Sequence, residues 1–323
     1  MTPDGWRVAD SDMHIFEPPD LWQRYMAPEW QHAAPVGLTE LRRDMRVKVK
    51  SHVVLRLGTL RPSRPGDVWK TSQEGPYSTA EAQGWSPDSQ KDAMDQEGLD
   101  LAALFPTRGL FVLGIDSKQM MGSDGLEPEF ASAVARAYND WLFDFCKAHP
   151  KQMIGAGMVA PHDVPGAVAE ARRCAVELGF RAVFLSPGTV GRKQWHDPHY
   201  DPLWAECEKL NLPVGFHEAG RVYLPQPAFF HICSTFSMFN TFGFPFANML
   251  ACGDMIFGGV MERFPRLKVA FLEGNCSWVP WLLWRMGEYA ETTGVAEYPD
   301  LKLTPLEYFQ REPGGASRGR LAA

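Results

Sequence analysis

Short apolar runs alternating with longer stretches of helical spacing constrain this chain more than any other feature. The runs are Arg7 to Asp12, Leu101 to Phe105, Met153 to Val159, Arg181 to Leu185, Pro213 to His217 and Lys268 to Glu273. Each is short, rich in Val, Ala, Leu and Phe, and long enough only for a buried strand. Glu129 to His149 places Phe130, Val134, Ala137, Trp141 and Phe145 on one face of a helix. Pro161 to Leu178 reads as a helix capped by His162 or Asp163, and Asp201 to Leu210 as one with Asp201 at the N-cap and Pro202 at the first helical position. Pro245 to Phe264 and Trp278 to Ala290 follow the fifth and sixth runs. Connections of this length join parallel strands, so the pattern predicts an α/β fold with a parallel sheet.

The 323 residues carry no Pro/Gly/Ser linker between halves, which favours one domain over residues 1–311. Residues 30–90 break the alternation. They are rich in Arg, Lys, Pro, Gly and Ser, hold one strand-like run, Ser51 to Leu57, and read as an insertion after the first strand, with Arg61 to Ser89 as a lid or a flexible segment. The final residues, 312–323, have the composition of a divergent, disordered tail.

Charge excludes some partners. A net charge of −7 supplies no general attraction to phosphate backbones or anionic lipid, so nucleic acid is not expected. No stretch reaches the roughly 18 apolar residues of a membrane span, and the N-terminus lacks the plan of a signal peptide, which predicts a cytoplasmic protein. The six cysteines are scattered without a Cys-x-x-Cys pair and read as reduced, buried side chains.

In a β/α barrel the chemistry sits at the C-terminal ends of the strands, so polar residues there are functional candidates. The first strand closes on Asp12 and His14, two apart and on one face of an extended segment, a pair that suits zinc, manganese or iron. The plainer reading is a loop carboxylate beside a surface histidine. His217 ends the fifth run, next to Glu218, and is the third candidate ligand. The sixth run ends in Glu273, a carboxylate that would need a cation or hydrogen-bond partner if buried, or that caps the helix after Ser277. Arg108, after the second run, could grip a substrate carboxylate in a bidentate way or make a surface ion pair. His231 is a candidate proton donor or a surface histidine. His196 and His199 flank Asp197 at metal-like spacing, yet their Asp-Pro-x-Tyr-Asp-Pro-Leu-Trp context reads as turn chemistry.

Several segments together resemble the amidohydrolase-related family that includes aminocarboxymuconate semialdehyde decarboxylase and other aromatic-acid decarboxylases. They are Asp-Ser-Asp-Met-His-Ile-Phe-Glu-Pro-Pro-Asp-Leu-Trp from Asp10, Leu-Phe-Pro-Thr-Arg-Gly-Leu from Leu104, Asp-Pro-x-Tyr-Asp-Pro-Leu-Trp from Asp197, Pro-Val-Gly-Phe-His-Glu from Pro213, and Glu-Arg-Phe-Pro-Arg-Leu-Lys-Val-Ala-Phe-Leu-Glu-Gly-Asn from Glu262. The resemblance implies a TIM-like (β/α) barrel of the metal-dependent hydrolase type, here expected to lack its last two strands. It implies one divalent metal, zinc in first place and manganese second, held by Asp12, His14 and His217. The family's fourth ligand, a last-strand Asp, has no match. Glu273 stands where many relatives have a catalytic His and would move the proton, with Arg108 on the substrate. The expected activity is hydrolysis or decarboxylation of a small cyclic or aromatic carboxylic acid through metal-bound water or metal-bound substrate, in a homo-oligomer. The alternative is an inactive, truncated member that serves only as an oligomer subunit or binding protein.

Overall fold

The structure is a computed structural model, and it describes residues 5–40, 44–54, 76–113, 126–188, 190, 193–217 and 236–311. Its strands are β1 (Ala9–Ile15), β2 (Val36–Gly37), β3 (Val47–Val49), β4 (His52–Val54), β5 (Leu101–Pro106), β6 (Met153–Met158), β7 (Ala182–Leu185), β8 (Val214–His217) and β9 (Val269–Leu272). The six strands expected from the apolar runs form one sheet in the order β1-β5-β6-β7-β8-β9, every neighbouring pair parallel. This is a partial β/α barrel with β1 and β9 at its edges.

Its curvature follows from contacts between strands that are not neighbours. In a flat sheet β1 and β8 would lie about 19 Å apart, four spacings of roughly 4.8 Å. Instead Asp12 of β1 reaches within 2.9 Å of His217 of β8. Phe105 of β5 packs on both Phe184 of β7 and His217, with ring centroids 5.8 and 5.1 Å apart. Such contacts require the sheet to curl around a shared interior.

β1 runs three residues beyond its expected end, pairing with β5 through Ile15, and carries a bulge. Its register with β5 slips between Asp10 and Met13, and the Asp12 N–H donates to Asp10 Oδ1 at 2.8 Å. The extra residue turns the strand end locally, as bulges beside functional sites often do.

The helix Pro128–Cys146 buries the predicted face, Phe130, Val134, Ala137, Trp141 and Phe145. Burying a side chain the size of Val134 or Phe130 contributes about 1.5–3 kcal/mol. One polar residue interrupts that face: Asn139 is fully buried, its Oδ1 accepting from Met158 N (2.7 Å) and its Nδ2 donating to Met158 O (2.8 Å). It thereby satisfies both backbone groups of the last residue of β6. The next helix, Val164–Val176, is capped by Asp163, whose side chain accepts from Gly166 N at 3.0 Å, and not by His162.

Three helix boundaries differ from expectation. Helix Asp201–Leu210 has Tyr200 at its N-cap, and Asp201 instead pairs with Arg263 at 2.9 Å. The segment expected to begin at Pro245 is helical from Phe236 to Phe257 with Pro245 inside it, and the turn at Gly259, whose φ is +74°, separates Val260–Arg263 as a further helix. Proline favours a first helical position, yet here the helix runs through it, and its buried side chains among the described residues, Ala247, Asn248, Ala251, Cys252, Met255 and Ile256, follow the proline. Within residues 30–90, β2, β3 and β4 form a small antiparallel sheet, and Pro87–Glu97 is a helix with Ser86 as N-cap. Residues 55–75 of that insertion, and the tail 312–323, lie outside the described residues. No helix among the described residues is long and apolar enough to cross a membrane.

Candidate metal centre

β1 and β8 bring the three expected ligands together. The ligand atoms of Asp12, His14 and His217 all lie within 4.8 Å of one another. His217 closes a strand that is buried at every position and is itself fully buried. Its ring meets that of His14 edge-on, with centroids 4.9 Å apart.

The local hydrogen bonds prepare each side chain. His14 Nδ1 lies 2.8 Å from the carbonyl oxygen of Pro106. A carbonyl only accepts, so Nδ1 carries the proton and the Nε2 lone pair is left for a ligand. Burial lowers the pKa of His14, the neighbouring His217 lowers it further, and both favour the neutral ring that binds a cation. Asp12 Oδ2 accepts from Glu273 N at 3.1 Å. Asp12 Oδ1 is buried and lies 2.9 Å from His217 Nε2. A carboxylate oxygen 2.9 Å from one imidazole nitrogen, with a second imidazole in the same cluster, fits a divalent ion with mixed nitrogen and oxygen ligands.

Glu273 follows β9 at the rim of this cluster. Its Oε2 lies 3.6 Å from His217 Nδ1, and the side chain is 35% exposed. Burial pushes its carboxyl up to about 7, with His217 opposing the shift and Asp12 adding to it. Glu273 is not the cap of the following helix, Trp278–Tyr289, whose N-cap is Ser277 and which has no side-chain cap bond; Asn275 Oδ1 instead accepts from Cys276 N (2.6 Å) and Ser277 N (3.2 Å) in the turn before it.

Arg108 is not the surface residue of the ion-pair reading. It is only 3% exposed, with its guanidinium 4.8 Å above the Phe16 ring and Nη1 donating to Leu38 O at 3.3 Å. A Cβ on Gly37 would stand 2.2 Å from Nη1, so the β2 segment covers the arginine closely. Among the described residues it makes no surface ion pair, and a substrate carboxylate would have to pass beneath that cover to reach it. His231 and Glu218 lie outside the described residues. His196 pairs through Nδ1 with Asp254, and Asp197 Oδ1 accepts from His199 N at 2.9 Å, so neither histidine joins the cluster.

Glu17 was not anticipated as part of the site. It is fully buried, and its carboxylate accepts from Thr107 N (3.1 Å), Arg108 N (2.9 Å) and Gly109 N (2.9 Å). Burial raises its pKa and these N–H groups oppose the rise. Glu17 thus ties the segment after β1 to the turn after β5, the turn that begins at the Pro106 carbonyl serving His14. The signal for it was a lone carboxylate between Phe16 and the Pro18-Pro19 pair. Glu17→Gln, whose amide must turn a donor toward one of those N–H groups, is expected to lower stability by about 1–3 kcal/mol. A urea midpoint equal to that of the parent would show that the turn does not depend on it.

Comparison with known proteins agrees with this architecture. A sequence model described as amidohydrolase matches residues 9–321. The 2-amino-3-carboxymuconate-6-semialdehyde decarboxylase of Dictyostelium discoideum is 29% identical over 232 residues, covering 69% of this chain and 57% of that protein. The chain therefore spans little more than half the length of that curated relative. The crystal structure of an amidohydrolase from Mycobacterium avium subsp. paratuberculosis superposes with a TM-score of 0.70 at 20% identity, covering 95% of this chain and 82% of the other. The 5-carboxyvanillate decarboxylase of Novosphingobium aromaticivorans, solved with bound manganese and a nitrobenzoic acid, superposes with a TM-score of 0.60 at 18% identity, covering 96% and 78%.

Proposed function

Because this chain belongs to the amidohydrolase family, we propose that it is a metal-dependent decarboxylase of a small aromatic carboxylic acid. The observation that carries this reading is the convergence of Asp12, His14 and His217 within 4.8 Å, with the carboxyl of Glu273 beside them. In this reading Asp12, His14 and His217 hold one divalent cation. Two imidazoles and a carboxylate suit zinc and manganese alike; we place zinc first on the donor set, while manganese has the precedent of the bound neighbour. When bound, the cation supplies Lewis-acid polarisation of substrate oxygens.

The protein's own residues do the rest. Glu273, whose carboxyl lies beside the cluster with Oε2 3.6 Å from His217 Nδ1, is the group placed to move the proton. As the ring-to-carboxyl bond breaks, the electron pair stays on the ring carbon, the carboxyl group leaves as carbon dioxide, and Glu273 gives its proton to that carbon. Phe105, buried against His217 and Phe184, holds the His217 ring in place from the apolar interior. Arg108 acts from beneath as a support for Phe16 and the β2 segment, and His231 stays a candidate second donor. A homo-oligomer in the cytoplasm belongs to the same reading, and Trp281 and Trp284, 54% and 61% exposed, offer apolar surface for self-association. The alternative of an inactive subunit finds no support in a site whose ligands converge this closely.

The test is to strip the purified protein of metal, reload it with zinc or manganese, and follow carbon dioxide release from a panel of hydroxylated benzoates by both metals. Metal-dependent release on at least one of them is the expected result. A protein that holds one equivalent of metal, cleaves esters or amides and releases no carbon dioxide would instead be a hydrolase.

A further inference from the structure

Glu273 has a backbone conformation that its own sequence does not favour. Its φ is +58°, in the left-handed region that a residue with a long side chain rarely enters. Something must hold it there, and the described contacts show what does. The peptide unit joining Leu272 to Glu273 is gripped at both ends: Asp12 Oδ2 accepts from its N–H at 3.1 Å, and Asn248 Nδ2 donates to its carbonyl oxygen at 2.8 Å. With that plane fixed, the left-handed φ directs the carboxyl of Glu273 toward His217.

Asn248 sits on the helix Phe236–Phe257 and is fully buried. Its amide orientation is set by the Leu272 carbonyl, which only accepts. Its Oδ1 is buried without a hydrogen-bond partner among the described residues, so the side chain keeps its place for the one bond it makes to β9. Gly274 completes the arrangement, since a Cβ there would stand 2.4 Å from Asn248 Nδ2. Only glycine lets the chain pass this close to the asparagine.

We propose that Asn248 is a positioning residue: by holding the Leu272–Glu273 peptide from the helix side, it aims the Glu273 carboxyl at the metal cluster. Its consequence for turnover rests on the reading of Glu273 as proton carrier, whereas its consequence for the peptide does not. Asn248→Ala is compared with Asn139→Ala, which removes a clamp of the same kind at the end of β6, away from Glu273. Two measurements are made on the full chain, the hydrogen-exchange rate of the Glu273 amide without metal, and kcat, KM and metal content after reloading.

Asn248→Ala is expected to speed exchange at the Glu273 amide about 10–100-fold, the equivalent of one lost buried hydrogen bond, and to lower kcat by a similar factor. Metal content and KM should stay close to those of the parent. Asn139→Ala is expected to lower the melting temperature without moving either Glu273 exchange or kcat. If Asn248→Ala does not fold, Gly274→Ala disturbs the same contact from the opposite side and should speed the same amide. Unchanged exchange at Glu273 in the folded variant, or an equal change in Asn139→Ala, would overturn the proposal. Should the parent neither bind metal nor turn over, the proposed function fails while the exchange comparison still decides the role of Asn248.

Discussion

Replacing His14 and His217 together by alanine is expected to strip the protein of its divalent metal. The two rings supply two of the three converging ligand atoms, and Asp12 alone would be left on a strand end with 26% of its side chain exposed. Affinity should fall on the order of 10⁴-fold or more, since removing even a partner that only orients a ligand costs about 10–100-fold. Elemental analysis of parent and variant, with elution volume recorded in the same runs, reads the effect directly. Near one equivalent in the parent and a background level in a variant of unchanged elution is the expected pair of results. The linked stabilisation should vanish with it, because an ion at 100 times its dissociation constant adds about 2.7 kcal/mol to a site that binds only in the folded state. Metal retained by the variant would place the ion elsewhere and remove the basis for the proposed chemistry.

Glu273→Gln is the second substitution of large effect, and it should separate binding from proton transfer. The amide keeps the shape of the side chain but has no proton to give, so turnover is expected to fall by about 10²–10⁴-fold while metal content is kept. A second signature is independent of turnover. In the metal-free folded protein the carboxyl is raised from 4.5 to about 7, so between these values the folded state binds more protons than the unfolded one. The contribution of Glu273 to stability is therefore fully present below pH 4.5 and is lost as pH rises through about 7. Urea midpoints measured in chelator at pH 5 and pH 8 should differ more in the parent than in Glu273→Gln. Equal pH slopes would mean that the carboxyl is solvated as in the unfolded chain.

Much of this architecture was legible because its signals are local or periodic. Six apolar runs became six parallel strands in chain order, and the face Phe130-Val134-Ala137-Trp141-Phe145 packed as its spacing requires. Asp12, His14 and His217 stood out because a polar residue closing an apolar strand is a local contrast. What escaped depends on distant partners. Val36–Gly37 and Val47–Val49 are too short to show a period of two, and they are strands because each completes the other. The part played by Glu17 exists only where Thr107, Arg108 and Gly109 turn their N–H groups toward it. Asn248 reads in sequence as a small polar gap in an apolar helix, and Arg108, at a strand end, shows nothing of the Gly37 segment that covers it.

The cluster joins β1, at one edge of the sheet, to β8, with three strands between them. Its ligands can meet only after β5, β6 and β7 have assembled and the sheet has curled, so the ion has no competent partner early in folding. Contacts that form after the transition state act on the rate of unfolding and leave the rate of folding almost untouched. A divalent ion here is thus a latch set at the end of assembly: it would lengthen the lifetime of the curled sheet without helping the chain to find it.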